Sequence, residues 1–135
     1  MSAELMAAFE SVLRDLRKTC AVLPIIERAG AHAGAGDPGP GLWLKDSDGT
    51  GQMIMVGLGL SRAEQLARLA DQTQEWAVEA LWAAGLSTNW PECPAHPRTH
   101  PLSADLDGNL AVWCCPGSGR TMALIGQLPS PGRNP

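Results

Sequence analysis

The sequence has no tyrosine, one phenylalanine, two lysines and no long apolar segment. Without a run of about 18 apolar residues, the chain is not expected to contain a membrane-spanning helix. The N-terminal residues also lack the pattern of a secretory signal peptide, so we expect the protein in the reducing cytoplasm. Cysteines in that compartment are expected to remain thiols or to bind metal, because disulfides persist mainly in oxidising compartments.

Positive charge is scarce towards the C-terminus. The formal net charge is −4; residues 1–85 carry 7 basic and 11 acidic side chains, and residues 86–135 carry 3 of each. A zinc ribbon that binds nucleic acid needs basic side chains around its metal. In the C-terminal part, only Arg98 and Arg120 lie near the cysteines. We therefore do not expect nucleic acid as a partner, because the acidic remainder of the chain would repel phosphates.

Cysteine and histidine are concentrated in one segment of the C-terminal third. Cys93, His96 and His100 lie in W-P-E-C-P-A-H-P-R-T-H-P-L, and Cys114 and Cys115 follow in A-V-W-C-C-P-G-S-G. Structural zinc sites use four thiolate or imidazole ligands arranged as a tetrahedron. The prolines stiffen the loop and lower the entropy that is lost when its ligands are fixed. The pattern predicts one Cys2His2 zinc site formed by Cys93, His96, His100 and Cys115.

The fourth ligand is inferred from the second turn, C-P-G-S, which begins at Cys115. Ser118 stands where a zinc ribbon would carry its second cysteine, and a hydroxyl is a poor zinc ligand. His100 is therefore the predicted fourth ligand. The alternative is a water molecule at that position, which would be the arrangement of a zinc hydrolase.

Two adjacent cysteines compete for the ligand position in the second turn. In an extended run, Cys115 lies on the same face as Trp113, and Cys114 lies on the opposite face. A ligand usually opens its turn directly before the proline, which favours Cys115. The alternative to a metal site is a disulfide between Cys93 and Cys115, which would need an oxidising compartment.

The metal segment lacks the general base of known zinc-enzyme motifs. His96 and His100 have the spacing of the H-E-x-x-H motif of zincins, but Pro97 occupies the position of the glutamate. Both halves of the zinc deaminase signature, H-x-E and P-C-x-x-C, are absent. We therefore expect no catalytic residues and no enzymatic activity.

Three motifs in the C-terminal third carry a resemblance. They are C-P-x-H-P-x-x-H-P-L at residues 93–102, V-W-x-C-P-x-x-G at residues 112–119, and I-G-x-L at residues 125–128. This segment resembles the C-terminal part of small uncharacterised proteins from actinobacteria and their phages. The excess of arginine over lysine, with abundant alanine, glycine and proline, suggests a GC-rich genome and agrees with the resemblance. The resemblance implies an accessory or virion-associated protein of an actinophage or prophage, and it implies no activity.

The N-terminal half shows the patterns of a helix and a hairpin. Residues 3–23 carry apolar side chains at intervals of three and four, which predicts a helix with Asp15 on a polar face and Cys20 on the apolar stripe. Residues 42–45 and 52–58 are predicted strands around the turn sequence D-S-D-G-T-G. The second strand contains M-I-M-V without alternation, so we expect both of its faces to be covered.

A longer helix and a β-ribbon are predicted for the rest of the chain. Ser61 and Glu64 form a capping box, and Gly85 can adopt the left-handed conformation that ends a helix. Residues 110–113 and 121–125 are expected to pair as a small antiparallel ribbon across the second turn. Three tryptophans are expected to pack around the metal and exclude water: Trp82, Trp90 and Trp113.

The sequence therefore predicts an α+β fold with an N-terminal helix, a β-hairpin, a long helix and a C-terminal zinc-ribbon-like β unit. The first three elements occupy residues 1–89, with a flexible connector at residues 29–41 in which His32 is solvated. The zinc-ribbon-like unit occupies residues 90–128, and residues 129–135 form a disordered tail. We expect the first part to form its own core, whereas the second has few aliphatic residues and needs zinc to fold.

The predicted function is that of a non-enzymatic, zinc-stabilised module with a structural or protein-interaction role. We expect a protein partner and no contact with membranes. The protein would be located in the cytoplasm or incorporated into a phage particle, as the resemblance implies. The alternative is a zinc-ribbon regulator that contacts nucleic acid or a polymerase.

Overall fold

A computed structural model describes residues 3–28, 41–57 and 59–130. In these ranges the helices are α1 (Ala3–Thr19) and α2 (Arg62–Ala83). The strands are β1 (Ile25–Arg28), β2 (Gly41–Lys45), β3 (Gly51–Met55), β4 (Ser103–Asp107), β5 (Leu110–Cys114) and β6 (Thr121–Leu124). The predicted α+β class is confirmed. Residues 29–40 of the predicted connector, with His32, and residues 131–135 of the predicted tail lie outside the described residues.

The strands form two antiparallel sheets, in the orders β1-β2-β3 and β4-β5-β6. The predicted hairpin corresponds to β2 and β3, and the predicted ribbon corresponds to β5 and β6. Strands β1 and β4 were not predicted. Strand β1 is only 4 residues long, and the sequence S-A-D-L-D of β4 has the composition of a turn. Each becomes a strand because β2 or β5 supplies its hydrogen-bonding partner, and short-range patterns do not show such pairing.

Helix α1 ends at Thr19, before the predicted end near residue 23. The Thr19 hydroxyl donates to the Asp15 carbonyl oxygen at 2.7 Å and accepts from Trp90 Nε1 at 2.8 Å. The chain then leaves the helix and turns into β1. Cys20, which was expected on the helix, lies beyond its end and is half-buried, and burial raises the pKa of its thiol.

Strand β3 has an exposed face, so the prediction that both of its faces are covered is wrong. Ile54 is fully buried, but Met53 and Met55 are 37% and 50% exposed. Successive side chains of a strand point to opposite faces, and the core packs only against the face that carries Ile54. The methionines therefore face solvent on the outer side of the first sheet.

Both ends of α2 follow the predicted capping chemistry. Glu64 N donates to Ser61 Oγ at 3.1 Å, and Ser61 N donates to the Glu64 carboxylate at 2.8 Å, which completes the capping box. At the other end Gly85 has φ 73°, and the backbone N–H groups of Gly85 and Leu86 donate to carbonyl oxygens of the last helical turn. In the part of the chain that the structure describes, no helix combines the length and apolar character needed to cross a membrane.

One hydrophobic core connects both helices and both sheets. Its fully buried members include Leu16 of α1, Leu44 of β2, Ile54 of β3, Leu69 of α2 and Trp113 of β5. Helix α2 contacts β3 of the first sheet as well as β4 and β5 of the second. Residues on both sides of position 89 therefore share buried contacts, and this packing fixes the C-terminal sheet against the helices.

Candidate metal centre

The first half of the site is a loop of residues 90–101, here called the metal loop. An isolated antiparallel bridge closes the loop near its two ends. Gln74 on α2 donates from Nε2 to the carbonyl oxygens of Trp90, at 3.0 Å, and Leu102, at 2.7 Å. This side chain therefore holds both ends of the loop on the helix. The sequence pattern of α2 gives no signal for this role, because the partners of Gln74 are distant in sequence.

Two successive turns place three potential ligands within the metal loop. His96 N donates to the Cys93 carbonyl oxygen at 3.1 Å, and Thr99 N donates to the His96 carbonyl oxygen at 3.2 Å. The first turn brings the side chains of Cys93 and His96 together. The second reverses the chain so that His100 follows on the same side.

The second half of the site lies where β5 gives way to β6. Cys115 N donates to the Arg120 carbonyl oxygen at 2.9 Å, and Gly119 N donates to the Cys115 carbonyl oxygen at 2.7 Å. Gly119 has φ 77°, a left-handed conformation that glycine adopts without strain. The tight turn places Cys115 at the end of the sheet, opposite the metal loop.

The four predicted ligands converge on one point. Cys93, His96, His100 and Cys115 each offer one donor atom, and all four atoms lie within 4.8 Å of one another. His96 Nδ1 lies 3.7 Å from Cys93 Sγ and 3.5 Å from Cys115 Sγ. His100 Nε2 lies 3.0 Å from His96 Nδ1 and 3.8 Å from Cys115 Sγ. Ligand atoms around a tetrahedral zinc ion are separated by roughly 3.3–3.8 Å, so these residues could hold a metal ion.

A hydrogen bond outside the cluster orients His100. Its Nδ1 lies 3.0 Å from the Pro101 carbonyl oxygen, which can only accept, so Nδ1 carries the proton. The lone pair is then on Nε2, the nitrogen that faces the other three donors. Such a hydrogen bond to the second ring nitrogen is the usual partner of a metal-binding histidine, because it fixes the tautomer and the ring orientation.

Hydrogen bonding favours the thiolate form of one of the two sulfur atoms. Cys93 and Cys115 are fully buried, whereas His96 is exposed and His100 is half-buried. Hydrogen bonds from the Ser118 hydroxyl, and then from the Ser118 backbone, lower the pKa of Cys115 to about 6. The thiolate is the form that binds metal, and it is therefore available near neutral pH. Ser118, which the sequence showed only as a poor ligand, supports a ligand instead.

The neighbouring Cys114 is not a member of this cluster. It is buried and pairs with Ser103 on the adjacent strand β4. Burial, and then the negative charge of Asp105, raise the pKa of the Cys114 thiol. A neutral thiol is a poor ligand, so the geometry and the chemistry both favour Cys115.

The three tryptophans expected around the metal occupy different environments. Trp90 and Trp113 are buried, and their rings meet edge to face with centroids 5.7 Å apart and an interplanar angle of 74°. Trp82 is 74% exposed, so the prediction that it packs near the metal is wrong. It lies in the last turn of α2 on the side that faces away from the core. Two tryptophans, and not three, therefore support the metal loop and β5.

Asp15 is buried, although the sequence pattern predicts it on a polar face of α1. It is fully buried, and its carboxylate accepts hydrogen bonds from Trp113 Nε1 and from the backbone N–H groups of Gly126 and Leu128. The expected surface position is therefore wrong. Asp15 follows the buried Val12 by three positions, so it lies beside the apolar stripe on the helix surface. The core includes this margin because Gly126 and Leu128 pack there.

The chain was compared with protein-family models, curated proteins and solved structures, and none of the three comparisons finds a match. The resemblance of the C-terminal motifs to actinobacterial and phage proteins stays a prediction. The function therefore has to be inferred from the residues and geometry of the site.

Proposed function

We propose that the chain is a non-enzymatic module whose C-terminal part folds around one zinc ion. The observation that carries this proposal is the convergence of two cysteine sulfur atoms and two histidine nitrogen atoms, all within 4.8 Å of one another. Two thiolates and two imidazoles in a compact tetrahedral set suit zinc. Magnesium, calcium and manganese prefer oxygen ligands, which this cluster does not offer.

A structural role is favoured because the protein offers four potential ligands. Catalytic zinc sites usually have three protein ligands and keep one position for water or substrate. His100 Nε2 faces the other donors, and its ring is fixed by the hydrogen bond to Pro101. A zinc ion held by this set would have no free position, which disfavours the hydrolase alternative.

A bound zinc ion would stabilise the exposed part of the metal loop, which has few apolar contacts. Residues 94–99 are all exposed, so hydrophobic burial contributes little to the order of this stretch. A metal ion that joins the loop to the second turn at Cys115 would supply that missing free energy. Structural zinc contributes about 10–16 kcal/mol in small zinc-binding peptides near neutral pH.

The proposed biological role is interaction with another protein. Apolar side chains are exposed on the outer face of the first sheet, where Ile25 is 53% and Met55 is 50% exposed. Exposed apolar surface of this kind is typical of protein contact sites. Following the C-terminal motifs, the role would be that of an accessory or virion-associated protein of an actinophage or prophage, in the cytoplasm or in the particle.

The metal proposal is tested by native mass spectrometry of protein prepared with zinc under reducing conditions. We expect one zinc ion per chain, and X-ray absorption should report two sulfur ligands at about 2.3 Å and two nitrogen ligands at about 2.0 Å. A metal-free monomer from this preparation would contradict the proposal.

Matched histidine variants test whether the fourth ligand is protein or water. His100→Ala should lower zinc affinity more than about 100-fold, because loss of even an outer hydrogen-bonding partner costs about 10–100-fold. His32→Ala is the control, since His32 is distant in sequence from the four predicted ligands, and the zinc affinity of this variant should equal that of the wild type. Equal affinity in His100→Ala would indicate water as the fourth ligand and favour the hydrolase alternative.

The interaction role needs a separate experiment. Affinity purification from an actinobacterial host that carries the related phage or prophage should recover the same virion or accessory protein in repeated preparations. Met55→Asp, which places a charge on the outer face of the first sheet, should lose this partner. A partner recovered equally with both proteins would contradict a role of this face in the interaction.

A further inference from the structure

A cavity beside the metal loop has the properties of a binding site. We propose that it binds an internal, apolar peptide segment of a partner protein, whose main-chain amide pairs with the side chain of Asn89. The inference rests on the proposed protein-interaction function, and it names a contact site apart from the outer face of the first sheet, with the chemistry of the partner. The cavity, here called the Asn89 cavity, lies between the C-terminal ends of α1 and α2, the metal loop and β6.

The size and lining of the Asn89 cavity suit an apolar ligand. Its volume is about 520 Å³, within the range of about 300–1,000 Å³ typical of ligand sites. Its walls are mainly apolar and include Leu81, Trp90, Leu102 and Met122. Leu86 also lines it and is 46% exposed, so the cavity is reached from the protein surface.

Asn89 is one of the polar residues that line this cavity, together with Thr19, Ser87, Glu92 and Ser130. Its side-chain oxygen and nitrogen are both buried and have no hydrogen-bonding partner. A buried amide without partners is costly, so such a group in a native structure points to an unseen partner. An amide group has one acceptor and two donors, which match the N–H and C=O of a peptide bond. Neither atom is accessible to solvent in this structure, so the proposal includes a rotation of the Asn89 side chain towards the cavity, which would allow both hydrogen bonds at once.

The charges of the lining residues favour an internal peptide segment over a peptide terminus or another anion. Glu92 is the one carboxylate in the lining, and no lysine or arginine of the described residues lines it. A C-terminal carboxylate, a phosphate or another anion would therefore find no cation to neutralise it. An uncharged internal segment with one or two apolar side chains avoids this cost.

One stretch of the metal loop, residues 91–94, both lines the cavity and contributes a potential metal ligand. Pro91, Glu92 and Pro94 line the cavity, and Cys93 within this stretch belongs to the metal cluster. A metal ion that fixes Cys93 would therefore fix one side of the cavity. Peptide binding and metal binding should strengthen each other, because both favour the same conformation of the loop.

The test uses the full chain with its zinc content measured beforehand, so that failure of the zinc proposal is seen before the titration begins. The probe is N-acetyl-leucine N-methylamide, which carries an apolar side chain between two uncharged amides, and binding is followed by ¹⁵N–¹H NMR. We expect saturable shifts of the Asn89 side-chain and Trp90 indole signals. N-acetyl-leucine, with a free carboxylate, should bind at least about tenfold more weakly, since the cavity lacks a cation.

Two asparagine variants separate recognition from structure. Asn89→Ala should lower probe affinity at least about tenfold without lowering thermal stability, because it removes a buried amide that has no partner. Asn109→Ala, in the turn between β4 and β5, is the matched control and should bind the probe as the wild type does. Destabilisation by Asn89→Ala without loss of probe binding would overturn the inference.

Other occupants give different results. Zinc-loaded protein that shows no saturable shift would overturn the inference and leave the zinc proposal intact. Equal binding of 4-methylpentan-1-ol, with no effect of Asn89→Ala, would identify a general apolar cavity and overturn the role of Asn89.

Residues 129 and 130 line the cavity, so a variant without residues 131–135 is included. A shift of the Asn89 and Trp90 signals in this variant, with probe binding at least tenfold stronger, would identify the occupant as the C-terminal segment of the chain itself. In that case the inference is overturned.

Discussion

Trp113 Nε1 donates a 2.8 Å hydrogen bond to Asp15 Oδ2 and links β5 to α1 across 98 positions of the sequence. The Asp15 carboxylate also accepts from the backbone N–H groups of Gly126, at 2.6 Å, and Leu128, at 3.0 Å. On its other side Trp113 contacts Trp90, at the start of the metal loop. One buried carboxylate therefore connects the N-terminal helix with the segment that carries the metal site.

Removal of the Asp15 carboxylate should strongly destabilise the protein. Asp15→Ala leaves three buried donors without their acceptor, and an unsatisfied buried group costs about 1–3 kcal/mol. We expect the free energy of unfolding to fall by about 3 kcal/mol or more in urea denaturation. Glu10→Ala on the same helix is the control, since its exposed ion pair with Arg17 contributes about 0–1 kcal/mol. Equal effects of the two variants would mean that Asp15 is not a structural link.

If the proposed zinc ion is bound, its removal should affect both parts of the chain. Because the core is continuous, strong chelation is expected to remove hydrogen-exchange protection from the metal loop and the second sheet, and to lower it in α1 around Asp15. The first sheet should retain more protection, since it packs on α2 and carries none of the four potential ligands. Loss confined to residues 90–128 would support the independent N-terminal core that the sequence predicted. No change in protection would contradict a structural metal.

The adjacent cysteines should differ in their effect on zinc. Cys115→Ser removes a donor atom of the cluster and should reduce the bound zinc measured by mass spectrometry. Cys114→Ser should retain one zinc per chain, because Cys114 lies outside the cluster and serine has a similar size. The opposite result would assign the ligand role to Cys114.

Ser118→Ala should make zinc binding more sensitive to acid. Hydrogen bonds led by the Ser118 hydroxyl lower the pKa of Cys115 to about 6, so protons compete with zinc for this sulfur mainly below that pH. In the variant the pKa moves up towards its ordinary value, and the competition extends to neutral pH. The ratio of wild-type to variant affinity should be large at pH 7 and should approach one in alkaline solution. Competition with a chelator at several pH values measures this affinity ratio, and Ser47→Ala is the control. A ratio that does not depend on pH would contradict this role of Ser118.

The protein should not bind duplex DNA at physiological salt. Arg98 and Arg120 are exposed near the metal cluster, but the Glu92 carboxylate accepts from Arg98 N, and Asp105 and Asp107 line the same depression as Arg120. The chain also carries a net charge of −4. A basic surface is needed to release counterions from DNA. Gel-shift titration at several salt concentrations is the measurement. Steeply salt-dependent binding that disappears in a double Arg98→Ala, Arg120→Ala variant would favour the regulator alternative.

The sequence by itself determined the features that depend on neighbouring residues. Ser61 and Glu64 are three positions apart, so their capping box is formed within one helical turn. Two further features depend on a few neighbouring backbone angles: the turn around Gly49 and the turn that brings Cys93 and His96 together. The grouping of four metal-binding side chains also followed from the sequence, because few residue types bind metal and they occur close together.

Only the tertiary structure decided what is buried and which segments pair. Asp15, Trp82 and Met53 occupy environments that their local patterns did not indicate. Strands β1 and β4 exist because partner strands satisfy their backbone hydrogen bonds. Burial and strand pairing depend on contacts between segments far apart in the chain, and periodicity within one segment carries no information about which segment will cover it.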